Sequence, residues 1–240
     1  MKPRFRIFAG PNGSGKSTLF EYLRNKKNIH TEIYVSADRI EAELRQKNAF
    51  VFNAYRVSTS EVDFFNYIKS HGMWRTVSGN DPGEWFSLKS GVVKVKKTAV
   101  NSYSASFIAG YLVNKLMKSG QSFCFETVMS HESKLDLFVK AKACGYKTYL
   151  YFIFTRSIEL NIERIKLRVK AGGHDVSSDK VRERFSRSIG LVLSSIENSD
   201  ISYIIDNTFN EFTIVGEKKE NKVFWIDKSF PDFFKKFKNN

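Results

Sequence analysis

The sequence has little cysteine, no long apolar run and no internal repeat. Two cysteines in 240 residues, Cys124 and Cys144, exclude a disulfide framework. Both lie in apolar segments, so reduced, buried thiols are expected. No stretch approaches the ~20 apolar residues that a membrane span needs. Met1-Lys2-Pro3-Arg4 is not followed by the apolar segment of a secretory signal, and a cytoplasmic location is expected. The four histidines (His30, His71, His131, His174) are scattered without ligand spacing. Carboxylates are also scarce: 25 Asp and Glu stand against 39 Lys and Arg, a formal net charge of +14. That balance admits an anionic partner, nucleic acid included. The runs Lys94 to Lys97, Lys218-Lys219 and Lys235-Lys236 read as solvated surface, and a basic phosphate-handling cleft accounts for a further share, so nucleic acid is not the favoured partner.

What is present begins at residue 10. Gly10-Pro11-Asn12-Gly13-Ser14-Gly15-Lys16-Ser17-Thr18 is a complete G-x-x-x-x-G-K-[ST] phosphate-binding loop. An apolar run (Phe5, Ile7, Phe8, Ala9) precedes it and reads as a strand; Thr18 to Leu23 reads as a helix. Glycines let successive N–H groups turn toward phosphate oxygens, and the helix N-terminus adds positive potential there. Lys16 is expected at the β/γ-phosphates and Ser17 on Mg²⁺, with ATP or GTP as the nucleotide.

The rest of the chain alternates. Residues 32–36, 122–126, 147–154 and 201–205 read as strands. Residues 39–47, 102–118, 133–143, 158–170 and 180–196 read as helices, with Ser157 as a cap. This rhythm predicts one α/β domain over 1–240: a parallel sheet sandwiched by helices, nucleotide-kinase-like, with ligands at the carboxyl ends of the strands. The loop, Asp38 and Glu126 all fall at that edge. Residues 49–101 interrupt the rhythm with many aromatics and a turn at Asn80-Asp81-Pro82-Gly83, and are read as an insertion. Residues 209–240 form a small β/α tail, with an edge hairpin from 212–215 and 222–226 around Gly216-Glu217.

A Leu-Ser-Gly-Gly-Gln signature and an Asn-Lys-x-Asp guanine motif are both absent. The segments Phe8 to Thr18, Val35-Ser36-Ala37-Asp38-Arg39-Ile40, Phe123-Cys124-Phe125-Glu126-Thr127-Val128-Met129-Ser130, and Arg168 to Val176 with Arg182 to Ser188 resemble the zeta-toxin-like family of P-loop kinases. The resemblance covers residues 4–48 and 103–207. Two positions depart from the family pattern: Ala37 stands where asparagine is usual, and Ser177 where proline is usual.

The resemblance implies transfer of phosphate to a hydroxyl of a small metabolite, in characterised members a UDP-N-acetylamino sugar, and an antitoxin protein as a partner. It places the catalytic acid at Asp38, which suits a proton acceptor at a strand end or, alternatively, a helix cap. It implies that Glu126, Thr127 and Ser130 bind the acceptor. Arg164 and Arg168 share a helix face, and the apolar face of that helix is Ile158, Ile162, Ile165 and Val169; with Arg184 and Arg187 the arginines are candidates to hold γ-phosphate oxygens. Gly172-Gly173 is a candidate hinge, and His174 is read as structural. Two other readings stay open: a polynucleotide-end kinase, and a nucleotide-gated protein-binding module.

Overall fold

The apolar run before the glycine loop forms β1 (Arg4–Ala9), and α1 (Lys16–Asn25) starts at the loop lysine. The chain continues with β2 (Tyr34–Ser36), α2 (Ala37–Lys47), β3 (Ala49–Val51), α3 (Glu61–Ser70), α4 (Gly72–Val77), β4 (Phe86–Lys89), β5 (Val92–Val95) and α5 (Ser102–Ser119). Then come β6 (Phe123–Thr127), α6 (Asp136–Ala143), β7 (Lys147–Phe154), α7 (Ile158–Lys170), α8 (Ser178–Gly190) and α9 (Val192–Asn198). It closes with β8 (Ile201–Asp206), β9 (Thr213–Lys219), β10 (Lys222–Trp225) and α10 (Phe230–Lys235). The structure is a computed structural model and describes residues 2–29, 33–78, 80–173, 175–209 and 211–237. It comprises two compact units, Met1–Tyr34 with Ser122–Asn240, and Val35–Gln121.

The first unit is built on a sheet whose strands run in the order β10-β9-β8-β7-β1-β6. Strands β6, β1, β7 and β8 run parallel. Their near-continuous apolar sequences suit strands covered on both faces. Phe5, Ile7, Phe8, Leu150, Phe152 and Ile153 are all buried. On one face Phe8, Leu19, Phe20, Ile29, Tyr34, Cys124, Ile153 and Ile205 pack together, with α1 supplying Leu19 and Phe20. This is the expected P-loop α/β fold, a mainly parallel sheet flanked by helices.

Some expectations from the sequence fall outside the described residues or differ from the structure. Glu32, expected to open β2, lies outside the described residues, as does His174. The single helix expected over 180–196 is two, α8 and α9, because Gly190 ends the first and Leu191 joins them. The tail hairpin turns at Glu220 and Asn221, both in left-handed conformation, not at Gly216-Glu217. Gly216 instead lies inside β9, beside a register shift at Ile204/Ile205. Cys144, expected to be buried, is exposed at the end of α6; Cys124 is buried.

A buried cation ties the outer strands. Lys218 is buried, and its Nζ donates to the carbonyls of Ile196, Glu197 and Ser199 at 2.9, 3.0 and 2.7 Å, capping the end of α9 with a cation. Beyond it, β10 is the terminal strand, with Val223 and Phe224 exposed and Ile226 exposed just past its end.

The second unit holds an antiparallel sheet in the order β3-β5-β4 together with α2 to α5. Its core is aromatic. Phe64 meets Tyr111 at a ring separation of 5.0 Å and Phe86 at 5.4 Å; Phe52 meets Tyr111 at 5.4 Å, and Trp74 meets Phe107 at 5.5 Å. Such edge-on pairs contribute beyond the area they bury. Helix α5 opens on a capping box: Asn101 Oδ1 accepts from Ser104 N at 3.1 Å, and Ser104 Oγ accepts from Asn101 N at 3.1 Å. Inside it, Asp63 accepts from Lys115 Nζ at 2.8 Å and Tyr111 Oη at 3.0 Å; the lysine holds its carboxyl below the usual range.

Candidate functional site

Because β6, β1, β7 and β8 are parallel, their carboxyl ends share one edge of the sheet. The glycine loop follows β1, Glu126 and Thr127 close β6, Thr155 and Arg156 follow β7, and Asp206-Asn207 close β8. Expected site residues Gly10 to Thr18, Glu126 and Thr127 are thereby brought to one edge.

The loop's course requires glycine. Gly10 has φ +140°, and a Cβ there would stand 1.9 Å from the Ile153 carbonyl oxygen. Gly15 has φ +99°, and a Cβ there would stand 2.4 Å from Asn207 Nδ2. Gly15 is the N-cap of α1, and no side chain caps that helix end. Its first N–H groups are thus left for a ligand. Lys16 is buried, and its Nζ donates across the loop to the Pro11 carbonyl at 2.9 Å. The Ser14 side chain is fully buried; Ser14 Oγ and Asn12 Oδ1 lack a hydrogen-bond partner among the described residues.

Next to the loop stands an oxygen pair. Ser17 Oγ donates to Glu126 Oε2 at 2.8 Å, and the Tyr34 hydroxyl donates to the same oxygen. A hydroxyl beside a carboxylate at a phosphate loop is a hard-oxygen donor set that fits Mg²⁺. An acid closing an apolar strand is compatible in sequence with a ligand, Mg²⁺ or a cationic partner, and the resemblance assigns Glu126 to the acceptor; the contact with Ser17 is what the structure adds. Beyond Thr127 the chain turns through Met129, which has φ +54°, and Met129 N donates to Thr127 Oγ1 at 3.3 Å. Ser188 Oγ of α8 donates to the Val128 carbonyl at 2.6 Å, fixing the segment that carries Ser130.

Arg164 and Arg168 lie half-buried on α7, and Arg184 lies half-buried on α8. The two helices join through Ile162, Ile165 and Val181 and through Arg182 Nη1 to Glu159 Oε1 at 2.9 Å. Arg187 pairs with Glu183 at 2.9 Å on the exposed side of α8. Arg164 Nη2 donates to the Asn207 carbonyl at 2.8 Å, and burial pulls its guanidinium below the ordinary value. After α7 the chain closes on itself: Gly173 N donates to the Arg168 carbonyl at 2.9 Å, and Gly172 has φ +84°.

The Asp206-Asn207-Thr208 turn was not singled out in the sequence. Asp206 Oδ2 accepts from Arg156 Nε at 2.7 Å, and its Oδ1 accepts from Thr208 N at 2.9 Å. Asn207 Nδ2 donates to the Ser14 carbonyl at 2.8 Å. The only sequence signal for these contacts is a polar pair closing an apolar strand.

Asp38 belongs to the second unit, in the first turn of α2. The N-cap of that helix is Ser36, so the helix-cap alternative for Asp38 does not apply. Among the described residues, no cluster of three or more His, Cys, Asp or Glu is placed to hold a metal. Among the described residues, no helix is long and apolar enough to cross a membrane.

No protein-family model matches the chain. An uncharacterized protein of Haemophilus influenzae is 35% identical over 69 residues, which are 29% of this chain and 49% of that protein. Among solved structures, a chain from the crystal structure of AvrRxo1-ORF1:AvrRxo1-ORF2 with sulphate ions matches with a TM-score of 0.63 at 14% identity, covering 98% of this chain and 64% of that one. A chain from the structure of AvrRxo1-ORF1:-ORF2 with ATP matches with a TM-score of 0.63 at 13% identity, with the same coverage. The likeness is one of fold, and this chain spans less than two thirds of each of these proteins.

Proposed function

We propose that this protein is a P-loop phosphotransferase of zeta-toxin type, which uses ATP or GTP with Mg²⁺ to phosphorylate a hydroxyl of a small metabolite. The observation that carries the reading is the loop itself. An uncapped helix start, a lysine arched to Pro11 and the Ser17–Glu126 oxygen pair stand together at the carboxyl edge of parallel strands. A structural neighbour solved with ATP adds support.

The proposed chemistry follows from charge and position. Lys16 leaves the Pro11 carbonyl for the β- and γ-phosphate oxygens, and the loop N–H groups bind the remaining phosphate charge. Ser17, with Glu126 beside it, would hold Mg²⁺, which would supply positive charge beside the phosphates. The acceptor oxygen bonds to the γ-phosphorus as the bond to the bridging β-oxygen breaks, and Asp38 takes the hydroxyl proton. Arg164, Arg168 and Arg184 offset charge on the transferred group. Glu126, Thr127 and Ser130 bind the acceptor side, with a UDP-N-acetylamino sugar as the first acceptor to try. An antitoxin is the proposed protein partner, in line with the two-component neighbour.

The test is ATP turnover measured with and without UDP-N-acetylglucosamine, with Lys16→Ala as the control. Acceptor-dependent ADP release that needs Lys16 supports the reading. Nucleotide binding without turnover on any acceptor favours a nucleotide-gated binding module. The net charge of +14 favours the second reading, a polynucleotide-end kinase. That reading requires activity on nucleic-acid ends, with affinity falling steeply as salt rises.

A further inference from the structure

Asn207 makes three different connections at the loop. Its backbone N–H donates to the Phe154 carbonyl at 2.8 Å, extending the β7–β8 pairing by one residue. Its backbone carbonyl accepts from Arg164 Nη2 at 2.8 Å. Its side-chain Nδ2 donates to the Ser14 carbonyl at 2.8 Å and lies so close to Gly15 that a Cβ there would stand 2.4 Å away. Asn207 itself is buried. The Ser14 carbonyl and the Gly15 N–H belong to one planar trans peptide, in which the C=O and N–H bonds point to opposite sides. Fixing the carbonyl on Asn207 therefore turns the Gly15 N–H to the opposite side.

We propose that Asn207 is a positioning residue for the phosphate loop: its amide holds the Ser14–Gly15 peptide so that the Gly15 N–H faces a bound diphosphate, and its carbonyl seats Arg164 against the same anchor. This rests on the nucleotide-binding reading above. It assigns the end of β8 a role in setting the direction of a loop N–H, without contact to the ligand. An N–H group already aimed at the phosphate needs no reorientation when the ligand arrives, which is the advantage of a preorganised donor.

The test measures binding of ADP and of inorganic pyrophosphate by calorimetry, for the wild type and Asn207→Ala. Both dissociation constants should rise roughly 3- to 10-fold, the worth of one neutral hydrogen bond. Pyrophosphate lacks the nucleoside, so a parallel loss locates the effect at the phosphates. Weakened ADP binding with unchanged pyrophosphate binding would overturn the proposal in favour of a nucleoside contact. Unchanged affinities with a lowered thermal midpoint would overturn it in favour of a purely structural tie. If the alanine variant does not fold, Asn207→Ser, polar but too short to reach Ser14, is judged by the same two affinities. A wild type that binds neither probe instead removes the nucleotide reading itself.

Discussion

The unit around the glycine loop buries aliphatic and aromatic side chains on both faces of a mainly parallel sheet and gathers its polar ties at one edge. There Ser17–Glu126, Lys16–Pro11, Asn207–Ser14, Arg164–Asn207 and Arg156–Asp206 lie within a few residues of the strand ends. The unit formed by Val35–Gln121 inverts the proportion: a small antiparallel sheet and four helices close around rings, with Asp63, Tyr111 and Lys115 as a polar knot. A protein can vary polar residues at a rim without losing its core. Ring-on-ring packing is less forgiving, because each aromatic fills a volume that no neighbour can collapse into. Substitutions in the first unit's rim should therefore act on ligands, and those in the second unit's core on stability.

The largest expected effect is at the loop. Lys16→Ala should abolish turnover and sharply weaken ATP binding by calorimetry, while circular dichroism stays native. Equal affinities in both forms would sink the proposed site.

Asp38→Asn is the sharpest test of what the second unit contributes. The proposed loss in kcat is roughly 10²–10⁴-fold, typical of removing a general base. ADP affinity should not change. A variant with the wild-type rate leaves Asp38 as a first-turn residue of α2 and nothing more.

Phe64→Ala opens a cavity in the ring cluster and should lower unfolding stability by about 3–5 kcal/mol in urea titrations. ADP affinity below the unfolding transition should hold. If affinity instead falls with stability, the division of labour between the units is wrong.

Smaller effects are expected from the thiols. Burial pushes Cys124 up to about 12, and Cys144 is exposed. One thiol per native chain should react quickly with a disulfide reagent, and two after unfolding. The raised thiol also favours folding only while it is neutral. Its contribution is complete below about 8.5, the ordinary thiol value, and is lost as pH rises toward about 12. A denaturation midpoint that climbs with pH across that window would contradict this.

Much of the fold was legible because its signals are local. The apolar runs at Phe5–Ala9 and Tyr149–Phe154, the loop between residues 10 and 18, and Ser157 as a cap each report their own conformation. Ser157 Oγ does accept from Leu160 N. The break between α8 and α9 was harder to see, since Val181, Phe185, Ile189, Val192 and Ile196 keep a helical apolar rhythm across it. Gly190 was the overlooked signal. At the site, motif residues could be named but their partners could not. That Glu126 meets Ser17 and Tyr34, or that Asn207 meets Ser14, depends on bringing together residues 92 to 193 apart in sequence. No periodicity encodes such pairings; they follow from the parallel register.

The outermost strand has a consequence for how the protein behaves in concentrated solution. β10 ends the sheet, so one side of its backbone offers hydrogen-bonding groups that no further strand among the described residues takes up, with Phe224 and Val223 exposed along it. Short length and Lys222 blunt this edge only locally. The wider defence is colloidal: two copies that approach edge to edge each carry +14. That repulsion reaches about 10 Å at 0.1 M salt and about 3 Å at 1 M. The same charge that draws anions to the protein therefore also keeps its copies apart, and salt weakens both actions together.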